Sequence, residues 1–230
     1  MRWTPAFLSI LCACGGVPKA EVESTGVHGA PPLALPQVDD NIRHDTLMIQ
    51  TTFNLGDGTY IMVASNITET FEGLRLHRYT ANADSTATIL AVSSPAYDSW
   101  TMLPTFFRDP EDSSAFLILA NFGEKESWGQ KMLKLDASGF HDLGFVDVAL
   151  PERIMEDDTL RLKRRNIGPY ARVTGQRNAL IVTFATDSLY LYDDLRGGRD
   201  RVVPAKGVAY RFRHGEVELG IGKDFRAVKN

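Results

Sequence analysis

The sequence predicts an all-β fold, an antiparallel sandwich or a small propeller-like repeat of β-meanders. Three observations carry this. Apolar, β-branched and aromatic residues recur with period two in short runs, the runs are spaced roughly ten residues apart, and tight-turn signals separate them. No long stripe of period 3.6 competes with this pattern.

The first predicted strand, 47–53, leads into Gly56-Asp57-Gly58 and then a second at 60–64. An apolar run on each side of such a turn is a hairpin signal, because glycine and aspartate accept the backbone angles the reversal needs. Further strands are predicted at 74–79, 86–92, 116–121, 131–135 and 145–149. The remainder fall at 171–174, 180–185, 188–192, 208–212 and 216–219, the last two flanking Arg213-His214-Gly215. One short helix is allowed near 151–163, where Pro151 suits a first helical turn; Thr159-Leu160-Arg161-Leu162-Lys163 alternates and reads equally as a strand. An internal echo runs through the chain. Tyr60–Ala64, Gly73 and Leu74 recur as Phe116–Ala120, Gly129 and Lys131 at offsets near 56 residues, the ingredients of a repeated meander.

Composition narrows the function classes. In 230 residues, 43% hydrophobic and 23% charged content is globular, and a net charge of -4 supplies no basic face for nucleic acid. Both cysteines, Cys12 and Cys14, fall in the first fourteen residues, so the body holds neither a disulfide nor a thiolate metal site.

Those first residues read MRWTPAFLSILCAC: Arg2, then a short apolar run, fenced by Pro5 and Gly15-Gly16. This is the anatomy of an export signal, and it falls well short of the about 20 apolar residues of a membrane span. Leu11-Cys12-Ala13-Cys14 resembles the lipobox of bacterial lipoproteins, with an aliphatic residue at -3, a small one at -1, and cysteine first in the mature chain. The resemblance implies cleavage after Ala13, a diacylglyceryl thioether on Cys14, acylation (palmitate or a similar chain) of the new amino group, and membrane lipid as a partner. Gly15-Gly16, with no aspartate after the cysteine, resembles outer-membrane sorting if the cell is Gram-negative. The expected domains are a signal peptide at 1–13, a lipidated Gly/Pro-rich tether at 14–45, and an all-β domain at 46–230.

Catalytic signatures are sparse. There is no Gly-x-Ser-x-Gly elbow, and no two of the five histidines have the spacing of a helical zinc site. Asp109-Pro110-Glu111-Asp112, Glu156-Asp157-Asp158 and Asp193-Asp194 read as acidic loops, and Asp136-Ala137-Ser138-Gly139 matches only part of a calcium loop. Arg161, Lys163, Arg164 and Arg165 form the densest basic cluster, read as a charged surface segment. No catalytic residue, metal ligand or cofactor is assigned. Aromatics beside loops, namely Trp100, Phe106, Phe107, Phe122 and Trp128, are the remaining lead, since flat rings stack on sugars or anchor a protein partner. Trp100 and Trp128 are the candidate contacts. The expected function is a lipid-anchored cell-envelope binding or scaffolding module, not an enzyme, facing an envelope protein or glycan. The alternative is an envelope hydrolase using loop carboxylates, with or without a metal. The β-rich body resembles other envelope lipoproteins with sandwich or propeller-like domains.

Overall fold

The computed structural model describes residues 29–38, 41–67, 72–124, 127–176, 178–192 and 201–228. Cys14, the signal region and the 14–28 part of the predicted tether lie outside the described residues, as does Asp193-Asp194. The architecture is all-β: four antiparallel sheets, none closed into a barrel. The first is a meander of β1 (Leu47–Asn54), β2 (Tyr60–Asn66), β3 (Arg75–Ala81) and β4 (Ala87–Val92), and the second a meander of β5 (Met102–Arg108), β6 (Phe116–Glu124), β7 (Ser127–Asp136) and β8 (Gly139–Val146). The third places β9 (Val148–Glu156) between β10 (Thr159–Arg165) and β13 (Ser188–Leu191), with β14 (Arg201–Pro204) outermost. The fourth runs β11 (Ala171–Gly175), β12 (Leu180–Phe184), β15 (Val208–Arg213), β16 (Glu216–Ile221) and β17 (Asp224–Ala227).

The sheets stack face to face, and alternation along β6 shows how. Phe116, Ile118, Ala120 and Phe122 join a core shared with Ile61, Val63, Leu74 and Leu76 of the first meander. The intervening Leu117 and Leu119 point the other way, into a core shared with Val173, Val182, Leu189 and Tyr210 of the third and fourth sheets. A central sheet buried on both faces needs an uninterrupted apolar strand, which is why β6 opens Phe-Leu-Ile-Leu-Ala. Each fully buried side chain of this size contributes about 1.5–3 kcal/mol.

The 56-residue echo is visible in the pairing. Tyr60 pairs with Tyr79 across β2 and β3, and Phe116 pairs with Leu135 across β6 and β7, so both partners move by 56 residues. The turns echo too. Asp57, Asp84, Asp112 and Asp136 each accept hydrogen bonds on one carboxylate oxygen from the backbone N–H and hydroxyl of the Ser or Thr two residues on. The fragment resembling half a calcium loop, Asp136–Gly139, is one of these hairpin turns.

Between the two readings open at 151–163, the strand is the one that forms: β9 and β10 make a hairpin in which Thr159 pairs with Glu156 and Arg165 with Leu150. Pro151 is accommodated because β13 reaches β9 only at Val148 and Ala149, leaving the edge free where proline lacks its N–H. One expectation is corrected: the described part of the predicted tether, 29–38 and 41–45, packs on the body. Ala30 exchanges two backbone hydrogen bonds with Val173 of β11, Leu33 N–H donates to the Phe106 carbonyl of β5, and Val38 N–H to the Thr52 carbonyl of β1. Arg43 then bridges to the residues before β4. Leu33 and Leu35 pack on the core between the two meanders, and Ile42 covers the outer face of the first. Pro31, Pro32 and Pro36 forbid a continuous ladder but not single bridges, so proline density here marks an edge-capping strap.

Candidate aromatic cleft

The β6–β7 hairpin carries a direct repeat of an aromatic-glycine pair, Phe122-Gly123 on one strand and Trp128-Gly129 on the other. Antiparallel register sets Phe122 opposite Gly129 and Gly123 opposite Trp128, so each ring faces a position without a side chain. The Trp128 indole fills the first gap. A Cβ built on Gly123 would lie 2.3–2.6 Å from three atoms of its ring system. Tyr97 fills the second, with its ring 2.7 Å from a Cβ built on Gly129. Tyr97 also packs on Phe122 and Phe145, ring centroids 5.4 Å away in both cases.

Tyr97 belongs to the connection between β4 and β5, and a chain of bonds holds that connection in place. Gly123 N–H donates to the Thr101 carbonyl at 3.1 Å, and Ser99 N–H to the Tyr97 carbonyl at 2.9 Å. Between Ile49 and Thr51 the register of β1 slips by one residue, and the bulged Gln50 donates from Nε2 to the Trp100 carbonyl at 2.7 Å. Buried Lys131 ties down the start of the loop, donating to Ser94 Oγ at 2.9 Å and the Pro95 carbonyl at 2.8 Å, with Asp142 as its ion-pair partner at 2.5 Å.

Together these rings and the strand ends beside them line an open cleft of about 320 Å³, at the lower end of the range for small-ligand pockets. Tyr97, Phe122 and Trp128 form its aromatic surface; Asp98, Asp147 and Arg164 supply its charges. Asp147 follows β8, and its carboxylate accepts from Arg164 of β10, so the third sheet closes the wall. The Asp147 N–H donates to the Tyr210 hydroxyl at 3.3 Å, anchoring this wall to the main core. Arg164 Nε is buried and has no hydrogen-bond partner among the described residues. Burial, reinforced by the Asp147 charge, pushes the Tyr97 phenol up to about 12, so it stays protonated and available as a donor. The same causes push Tyr210 well above the usual phenol range.

Of the two candidate tryptophans, Trp128 lines the cleft and Trp100 sits on the same loop immediately after Ser99, more than half exposed. Phe122 lines the cleft while remaining buried; Phe106 and Phe107 are core residues on opposite faces of β5. Tyr97, Asp98 and Asp147 were not among the candidates, and Arg164 was read only as part of a basic surface. The Phe-Gly and Trp-Gly pairs flanking one tight loop were the available signal for two ring-sized gaps. Of the acidic loops read as hydrolase candidates, Asp109 accepts from Glu111 N–H and pairs with Lys134 at 2.7 Å, Asp112 accepts from Ser114 N–H at 2.9 Å, and Glu156 pairs with Arg161 at 3.3 Å. Among the described residues, no three His, Cys, Asp or Glu side chains come together in a way that could hold a metal ion. No protein-family model, curated protein or solved structure matches the chain.

Proposed function

We propose that the protein is a lipid-anchored binding module of the bacterial cell envelope that engages its partner through the aromatic cleft at Trp128 and the neighbouring Trp100. The observation that supports this best is the paired-glycine construction, which sets two rings at a surface cleft instead of in the core. Anchorage rests on the resemblance of Leu11-Cys12-Ala13-Cys14 to a lipobox. With 29–38 and 41–45 held on the body, the spacer between Cys14 and the first strap bridge at Ala30 is about half the length that composition suggested. Acylated Cys14 would hold the body at a lipid surface. Confinement there raises the effective concentration toward neighbouring envelope components, so a weak interface suffices.

The test is capture from intact envelopes with the native anchor retained. Trp128→Ala is expected to abolish recovery of the partner while Cys14→Ser moves the protein from the membrane to the soluble fraction. Unchanged capture by the Trp128 variant removes the cleft from the proposal; unchanged fractionation of the Cys14 variant removes the anchor.

A further inference from the structure

The ligand class can be narrowed on the premise that this cleft is the binding site. Trp128, its indole lying against Gly123, brings a flat apolar surface to the cleft beside a hydrogen-bonding wall. That wall is a carboxylate–guanidinium pair, Asp147 with Arg164, joined by the exposed Asp98 and the protonated Tyr97 hydroxyl. A pyranose matches both surfaces. Its C–H face stacks on an aromatic ring, and its vicinal hydroxyls donate to a carboxylate and accept from a guanidinium at the same time.

Charge and size exclude the nearest competitors. The cleft is lined by two carboxylates against one guanidinium, and that guanidinium is already paired, so a phosphate, sulfate or uronate would meet net repulsion. A volume of about 320 Å³ suits one or two rings better than an extended polymer. We infer that the cleft holds a neutral sugar ring, stacked on Trp128 and hydrogen-bonded to the Asp147–Arg164 pair.

The experiment is isothermal titration of the full chain with chitobiose, maltose and cellobiose, and with digalacturonic acid as the charged counterpart. At least one neutral disaccharide is expected to bind saturably at one per chain. Trp128→Ala and Arg164→Lys should each weaken it about tenfold or more, the second because lysine keeps the charge but loses the planar fork. Met155→Ser, at the exposed tip of the β9–β10 hairpin, should leave it unchanged. Circular dichroism melts identify a variant that fails to fold, and the conservative Arg164→Lys then carries the test. Silence from every neutral sugar up to about 10 mM, or tighter binding of the acidic one, overturns the inference. If the sugars are silent while envelope capture still depends on Trp128, the binding reading stands with a protein partner; if capture is also insensitive to Trp128, both readings fall.

Discussion

A methyl group at position 123 would overlap the Trp128 indole, since it would sit 2.3 Å from the nearest ring carbon. The indole has to swing away from the new methyl, so Gly123→Ala is expected to cost about 1–3 kcal/mol and to expel the indole toward solvent. Urea denaturation reads the first effect and a red-shifted tryptophan emission the second. An unshifted spectrum would show that the ring does not depend on the gap. His77 carries a different residue-scale prediction. It is buried on β3, and desolvation first, then the charges of Arg75 and His44, lower its pKa from 6.5 to about 4. The folded state therefore holds the neutral imidazole while the unfolded chain takes up a proton below pH 6.5. The sign follows: stability is intact above about pH 6.5 and falls by about 2–3 kcal/mol as pH drops toward 4. His77→Gln should flatten that decline in urea midpoints measured between pH 7 and 4.5; an unchanged slope would assign the acid sensitivity to other groups.

The β9–β10 hairpin shows what local pattern can and cannot decide at the scale of an element. Proline at 151 and a charged run after it are compatible with a helix, yet Leu160 and Leu162 alternate with Arg161 and Lys163 as a strand requires. What settled the matter is the turn. Asp157 and Asp158 both adopt positive φ, 49° and 57°, the pair of angles of a two-residue hairpin turn that aspartate tolerates and Asn-Gly prefers. Asp157→Asn with Asp158→Gly should accordingly stabilise the domain by about 0.5–1 kcal/mol, and a loss of stability would mean the turn is held by the carboxylates themselves. The strand β5 escaped the sequence reading because Pro104 interrupts it. Proline is tolerated there because β5 is the edge of its sheet, meeting β6 on one side and only the single bridge from Leu33 on the other. The stretch 145–149, which reads as one strand, is divided at Asp147 between β8 and β9, where the chain passes from the second sheet to the third. Hydrophobicity continues across that point because both strands feed the same core, so periodicity carries no mark of the break.

Across the whole molecule, the strap from Gly29 to Arg43 joins sheets that do not follow one another in pairing. It bridges β11, β5 and β1 in turn, so one segment covers an edge of the fourth, second and first sheets. Removing 29–38 would expose three edges and uncover Leu33 and Leu35, with an expected loss of about 3 kcal/mol and a melting temperature lower by roughly 10 °C. The truncated chain should also self-associate at concentrations where the intact chain is monodisperse, measurable by light scattering. An unaltered melt would return the segment to the role of a loose tether. The all-β class, the β1–β2 and β15–β16 hairpins and the 56-residue echo were legible from the amino-acid order alone, because side-chain alternation and turn chemistry act between residues a few positions apart. Which aromatics reach the surface, how Tyr97, Trp128, Asp147 and Arg164 meet, and that a proline-rich leader caps three sheet edges were settled only by tertiary packing. Those contacts join segments far apart in the chain, and their free energy comes from excluding water between faces whose partners no local pattern names.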